Sequence, residues 1–212
     1  AYDPELRDEL GVWYTPREIA EAQVNRVHHH LVNELGIDAG LADDSVVVLD
    51  PAVGTGTYLA AVYRKIYALH LSNEGDSDAG RRLAAERVRT AATSRIVGFE
   101  ILPAAFVIAH LNLGRVISDI GVPMQTGERL RVYLTNSLTG WSTDAPAGAD
   151  ASGQTLIAFP ELLAELESAA SVKQEEPVLV VLGNPPYEGY STADTDDEQA
   201  LVAPWIEPLW RD

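Results

Sequence analysis

The chain has 212 residues, 32 of them acidic and 15 basic, for a formal charge of -17. Hydrophobic residues make up 46%, enough for one domain with a proper core, which excludes collagen-like and wholly disordered classes. There is no Cys, so no disulfide, thiolate nucleophile or thiolate metal site is possible, and a reducing cytoplasm is the expected location.

No apolar run approaches the roughly 20 residues of a membrane span, and no membrane association is expected. The opening AYDPELRDELGVWYTP lacks the basic and apolar regions of a secretory signal. The acidity disfavours nonspecific attachment of this chain to nucleic acid or anionic lipid. The basic residues are 13 Arg and only two Lys, Lys65 and Lys173.

Residues 1–14 read as an irregular lead-in anchored by Val12, Trp13 and Tyr14. Next comes a helix start: Thr15 as cap, Pro16 at the first helical position and Glu18 completing a capping box. Val24, Val27, Leu31 and Leu35 fall on one helical face, and Gly36 ends the helix. Ser45–Leu49 is a continuous β-branched run, the pattern of a buried parallel strand. It leads into DPAVGTGT, and a helix over about Tyr58–Leu71 turns Leu59, Val62, Ile66 and Leu69 inward. Ser72–Gly80 reads as a loop and Arg81–Thr93 as a surface helix.

Arg95–Phe99 is a second strand, closed by Glu100. Pro103–Ile120 is an apolar helix stopped by Gly121 and Pro123. Leu130–Leu134 is a third strand, with Asn136 just beyond it. Residues 139–155 form a loop, and Pro160–Val172 is a helix striped by Leu162, Leu163 and Leu166. Val178–Leu182 is a fourth buried strand, leading directly into Gly183-Asn184-Pro185-Pro186-Tyr187. Residues 188–198 are polar and acidic, and Ala203–Trp210 begins a further helix. Strands alternating with helices imply right-handed crossovers and a parallel sheet in an α/β doubly wound fold.

In such a sheet, ligands bind beyond the carboxyl ends of the strands, where every unusual segment of this chain lies. Gly54 and Gly56 permit a sharp turn and close approach of a ligand to the backbone. The turn is neither a dinucleotide fingerprint, since position 59 is Leu, nor a phosphate-binding P-loop, since no Gly-Lys-Ser/Thr comes after it. Without a ligand it is simply a tight strand-to-helix connection. Glu100 can accept bonds from vicinal ribose hydroxyls, or merely favour the helix opening at Pro103. Asn136 can read a purine edge, or serve as an ordinary turn residue. Asn184-Pro185-Pro186-Tyr187 is the most informative segment. Its prolines remove two N–H donors and aim carbonyls outward, Asn184 adds an acceptor, and Tyr187 offers a stacking face. The set forms a cage of acceptors for a nitrogen that carries two hydrogens.

Together these segments resemble the S-adenosylmethionine-dependent amino-group methyltransferases, and specifically the adenine-specific DNA methyltransferases. In that family a segment ending T-P precedes D-P-x-x-G-x-G, an acid after the second strand, and N-P-P-Y. The matching positions are Tyr14-Thr15-Pro16, Asp50 to Gly56, Glu100, and Asn184 to Tyr187. Their order is the gamma-type arrangement. GFEILPAAFVIAHLNLG, RVYLTNSL and VVLGNPPYEG are similar to the methyltransferase region of Type ISP restriction–modification enzymes and relatives in phage defence.

The resemblance implies a Rossmann-like, mainly parallel sheet of the class I methyltransferase kind, with S-adenosylmethionine as cofactor and DNA as partner. It assigns Tyr14, Thr15 and Pro16 to the cofactor's methionine end. Asp50, Pro51, Ala52, Gly54, Gly56 and Thr57 lie along its amino-acid moiety. Glu100 holds the ribose, Ile101 meets the adenine ring, and Asn136 and Ser137 lie near the adenine amine, where the family often has an acid. Asn184, Pro185, Pro186 and Tyr187 are the implied catalytic residues. The target adenine would be flipped from the duplex.

The family's sheet has further strands and a DNA-reading region. The chain is therefore expected to be the N-terminal part of a catalytic domain, truncated after the fourth strand. Its parts are a lead-in and helical segment at 1–44, a cofactor-binding core at 45–183 and a catalytic loop and following segment at 184–212. The fourth strand would then be an edge, and DNA phosphates would be met mainly by regions outside this chain. Two other readings stay open: a methyltransferase acting on a protein glutamine amide or an RNA base, and a cofactor-binding module inactive in isolation. The Thr15-Pro16 segment favours DNA. Oligomeric state is undetermined by the sequence. His28, His29 and His30 diverge by about 100° per residue on a helix, so they read as a polar face and no metal is expected. His70 and His110 read as core or boundary residues.

Overall fold

The computed structural model describes residues 15–138 and 160–185, the side chains of 160–164 excepted. One compact unit spans Tyr14–Asn184 and carries the whole of the sheet and its helices; residues 1–13 and 185–212 fall to a separate one.

Four parallel strands form the sheet: β1 (Val47–Asp50), β2 (Ile96–Glu100), β3 (Arg131–Leu134) and β4 (Val178–Val181), in the order β3-β2-β1-β4. The helices are α1 (Arg17–Asn33), α2 (Thr57–Glu74), α3 (Asp78–Ser94), α4 (Pro103–Ile120) and α5 (Pro160–Glu175). The chain builds outward from β1 to β3, then returns to place β4 on the other side of β1. That reversal opens a crevice between the carboxyl ends of β1 and β4, the place where open α/β sheets bind ligands.

Period-2 alternation divides the strand side chains between two cores. Val46, Val48, Ile96, Val132 and Val180 pack on one face with Val24 and Leu31 of α1, Leu59, Val62 and Ile66 of α2, Val88 of α3 and Leu113 of α4. Val47, Leu49, Val97, Phe99 and Tyr133 pack on the other with Ala169 and Val172 of α5. With both faces covered, β1 and β2 are buried at every position, as the continuous β-branched run of β1 predicts for that strand.

Several expected boundaries shift. Thr15 does not cap α1. The helix begins at Arg17 with Pro16 at the cap position and no side-chain cap bond. Its first turn is closed by Ile19 and Ala20 N–H groups donating to the Pro16 carbonyl. The helix also stops earlier, at Asn33, so Leu35 lies past its end and is 60% exposed. The loop expected at 72–80 shrinks, because α2 runs on to Glu74 and α3 starts at Asp78. Ser77 caps α3 by accepting from Gly80 N–H at 3.0 Å. Nor is α3 a surface helix: Ala84, Ala85, Val88, Ala91 and Ala92 are all buried. Small residues hid that face from a reading based on large apolar side chains.

β4 departs most from expectation. Leu179 is 47% and Val181 64% exposed, whereas full burial was predicted. Among the described residues β4 pairs only with β1 and lies at one side of the described sheet. No described helix is long and apolar enough to cross a membrane.

Candidate functional site

The site is assembled from the turns at the carboxyl ends of the strands. After β1 the chain bends tightly: Val53 N–H donates to the Phe99 carbonyl at 3.0 Å, and Gly56 N–H to the Val53 carbonyl at 2.9 Å. Gly54 and Gly56 adopt φ of +56° and +91°, conformations that L side chains rarely take. A Cβ on Gly56 would also press on Leu113 at 3.0 Å. Opposite the turn, Gly98 of β2 makes room for it, since a Cβ there would lie 2.3 Å from Val53 Cγ2. Asn112 of α4 clasps the turn from outside, its Nδ2 donating to the Thr55 carbonyl at 3.0 Å.

Two buried carboxylates frame this turn. Glu100, 7% exposed, accepts from Gly54 N–H through Oε2 and from Leu102 N–H through Oε1, each at 2.8 Å. It thus fastens the Gly-rich turn to the tip of β2 and also serves the helix start at Pro103, the plainer role foreseen for it. Each oxygen keeps a second lone pair for a further donor. Asp50 is fully buried. Its Oδ1 accepts from Ala52 N–H at 3.0 Å, while Oδ2 is buried with no hydrogen-bond partner. Burial pushes the Asp50 carboxyl up to about 7; the Ala52 bond opposes that rise and the nearby Glu100 adds to it.

A buried, unpartnered carboxylate oxygen costs free energy, which makes Asp50 Oδ2 a prepared acceptor for a cationic or N–H-bearing ligand group. The ammonium of an amino-acid moiety fits that donor requirement. Of the other residues expected here, Pro51, Ala52, Gly54 and Thr57 are half-buried around the turn. Ile101 presents a 59% exposed apolar side chain beyond Glu100.

After β3 the arrangement is more occupied. Asn136 Oδ1 accepts from Leu138 N–H at 2.9 Å, the local turn role that was the alternative expected for it. Ser137 is half-buried beside it. Beneath them lies a residue that sequence reasoning missed. Lys173 of α5 is 8% exposed and sits 5.2 Å from the Phe99 ring centre. Its Nζ donates to Thr135 Oγ1 at 2.9 Å and to the Asn136 carbonyl at 2.6 Å. Its rarity was the available signal, as one of two lysines in the chain.

After β4, Leu182 N–H donates to the Leu49 carbonyl at 3.0 Å, and the chain then passes against Asp50. A Cβ on Gly183 would lie 2.5 Å from Asp50 Oδ1. Gly183 therefore allows the Asn184 segment to abut the Asp50 turn. Asn184 is half-buried, and its Nδ2 donates to Thr15 Oγ1 at 3.1 Å. Thr15, Asp50, Gly183 and Asn184 are thus linked by contact at the ends of β1 and β4. Pro16 is exposed, as is Pro185. Tyr14, Pro186 and Tyr187 lie outside the described residues, as does the loop expected at 139–155.

The histidines are dispersed. His28 Nδ1 accepts from Leu41 N–H at 3.4 Å, His29 pairs with Asn33, and His30 with Glu34. No metal-ligand group converges among the described residues. His70 and His110 are half-buried, and burial lowers the pKa of both. A cleft of about 630 Å³ beside Arg81, Arg82, Arg89 and Met124 is lined by none of the strand-end residues. Its guanidiniums are paired with Asp76, Asp78, Glu86 and Glu128.

A parallel sheet of order 3-2-1-4, a Gly-rich turn after its first strand and an acid at the tip of its second define a Rossmann-like methyltransferase fold. The chain belongs to the N-6 DNA Methylase family, whose model matches residues 1–204. No curated protein matches the chain in a direct comparison.

Among solved structures, it is similar to a nuclease-deletion mutant of the Type ISP restriction–modification enzyme LlaGI in complex with a DNA substrate mimic. That match has 19% identity and a TM-score of 0.62, and covers 84% of this chain and 13% of that one. The ATP-dependent Type ISP enzyme LlaBIII bound to DNA matches at 22% identity and a TM-score of 0.63, over 84% of this chain and 10% of that one. The DrdV–DNA complex matches at 22% identity and a TM-score of 0.60, over 88% of this chain and 15% of that one. These likenesses establish the shared fold, and the chain spans only a small part of each neighbour's length.

Proposed function

We propose that this chain carries the cofactor pocket and catalytic turn for moving a methyl group from S-adenosylmethionine to the exocyclic amino group of adenine in DNA. The work would be done in the cytoplasm, within a restriction–modification or phage-defence protein. The observation that carries this reading is the contact of Gly183 with Asp50. It joins the turn bearing an orphan acceptor to the turn bearing Asn184, so that a cofactor and an amine can meet.

Asp50 Oδ2 would take the cofactor's ammonium, and the Gly54–Gly56 backbone would lie along the amino-acid moiety. Glu100 would receive the ribose hydroxyls on its remaining lone pairs, and Ile101 would cover one face of the adenine ring. When bound, the cofactor supplies a sulfonium-activated methyl group.

The target nitrogen is a poor nucleophile, because its lone pair is delocalised into the ring. Positive charge grows on it as it attacks. Acceptors at its two hydrogens, Asn184 Oδ1 and the Pro185 carbonyl, therefore gain strength on the way to the transition state. A stacking face at Tyr187 would favour the same developing charge. No strong base is required before attack: the methyl's bond to sulfur would break as its bond to nitrogen forms, the neutral thioether would depart, and the cationic nitrogen would then lose one proton to solvent, with alignment of methyl and nitrogen supplying the rest. DNA phosphates would be met mainly by regions outside this chain, consistent with its net charge of -17.

Methyl-labelled cofactor offered to the full protein with DNA, RNA and a glutamine-bearing protein together tests the substrate class. Label is expected in DNA. Label in RNA or protein alone overturns the DNA reading, and cofactor binding without transfer to any of them leaves a binding module.

A further inference from the structure

Lys173 is one of two lysines in the chain, and it is buried. Its Nζ donates to Thr135 Oγ1 at 2.9 Å and to the Asn136 carbonyl at 2.6 Å. An ammonium only donates and a carbonyl only accepts, so the direction of the second bond is unambiguous. A second side chain of α5 holds the other end of this segment: Glu165 Oε1 accepts from Leu134 N–H at 3.1 Å. The helix thus grips the end of β3 and the turn beyond it with opposite charges on opposite backbone groups. The turn is also joined to the tip of β2, since Thr135 N–H donates to the Glu100 carbonyl at 2.8 Å. Glu100 in turn holds Gly54 N–H through its carboxylate. One line of hydrogen bonds therefore runs from Lys173 through the ends of β3 and β2 to the turn after β1.

Anchoring a carbonyl fixes a whole peptide. The Asn136–Ser137 peptide is trans, so its N–H points opposite to the carbonyl that Lys173 holds. A flip of that peptide would exchange donor for acceptor at the turn. It would also strip a buried ammonium of an acceptor, which is costly. Adenine presents an amine donor beside a ring-nitrogen acceptor. Hypoxanthine presents the reverse, an oxygen acceptor beside a ring N–H. A locked peptide suits one of these edges, whereas a peptide able to flip suits either. We propose that Lys173 is a positioning residue for cofactor recognition, locking the Asn136–Ser137 peptide so that the turn after β3 accepts adenine and rejects its 6-oxo counterpart. This role rests on the reading of that turn as the neighbour of the cofactor's adenine amine.

The test titrates the full protein by calorimetry with S-adenosylhomocysteine and with S-inosylhomocysteine. The parent is expected to prefer the adenosyl ligand by about 10-fold or more, the scale of one or two hydrogen bonds. Lys173→Met keeps an unbranched stem and removes the donors. It should weaken the adenosyl ligand by about 5- to 30-fold and leave the two ligands within about threefold of each other. Lys173→Gln, which retains an amide donor on a shorter stem, should lose preference in the same direction and serves should methionine lower the thermal midpoint.

An unchanged preference in the variants overturns the proposal whether or not overall affinity falls, because support of the fold alone weakens both ligands equally. A parent that binds the adenosyl ligand without preferring it to the inosyl one overturns it as well. A parent that binds neither ligand would instead remove the cofactor reading itself.

Discussion

Asn184→Ala in the full protein should reduce methyl transfer by roughly 10²–10³-fold or more, the scale seen when one preorganised polar group is removed from a transition state. Cofactor affinity should change by no more than a few-fold. The asymmetry comes from position. Asn184 lies beyond β4 and bonds to Thr15, while the cofactor candidates Asp50, Gly54 and Glu100 hold their own contacts without it. Transfer rates at saturating cofactor, set beside calorimetric affinities, check both halves. A parental rate in the variant would refute the acceptor role.

Asp50→Asn should strengthen the folded protein while weakening its hold on the cofactor. The folded Asp50 carboxyl is pushed up to about 7 by burial, from an ordinary value of 3.8. Between those values the folded state keeps a proton that the unfolded state has lost. Stability from this group therefore falls as pH rises through that window, and its loss is complete above the folded value. At about 1.4 kcal/mol per tenfold, the cost of the buried charge at pH 8 is on the order of 4 kcal/mol.

Asparagine removes that cost and keeps an acceptor for Ala52 N–H. It leaves an amide N–H where Oδ2 stood, a penalty of about 1–3 kcal/mol. The net expectation is a gain of about 1–3 kcal/mol at pH 8 and a flatter stability profile between about pH 4 and 7, measured by denaturant unfolding. Losing a charged acceptor should weaken cofactor binding by about 1.5–3 kcal/mol. A variant of lower stability, or one with unchanged cofactor affinity, would count against Asp50 as the prepared acceptor.

Much of this was legible in the sequence because the signals were strong and local. Short runs rich in β-branched and aromatic residues located all four strands within about two residues, the usual uncertainty of an element end. Pro103 and Gly121 bounded α4 as predicted, since fixed φ and a left-handed cap act within one turn. What escaped was set by tertiary context. The cap expected of Thr15 was sound as local chemistry, but its hydroxyl meets Asn184 from far along the chain. Nothing in the spacing of the large apolar residues shows that an alanine face is enough to bury α3. β4 reads like β1 in composition, yet it has a neighbour on one side only among the described residues.

The site divides the same way. Asp50, Glu100 and Asn184 could be named as candidates from motif and position. That Glu100 clips the Gly54 turn, that Gly183 yields space to Asp50, and that Lys173 supports the Asn136 carbonyl are pairings that periodicity does not encode.

The chemistry stands or falls on which atom receives the methyl group. After reaction with methyl-labelled S-adenosylmethionine, DNA should be digested to nucleosides and the label assigned by mass spectrometry. Label on the exocyclic nitrogen of adenine is the predicted result. Label confined to a carbon of a base or to cytosine would contradict an Asn184-centred acceptor cage acting on an adenine amine.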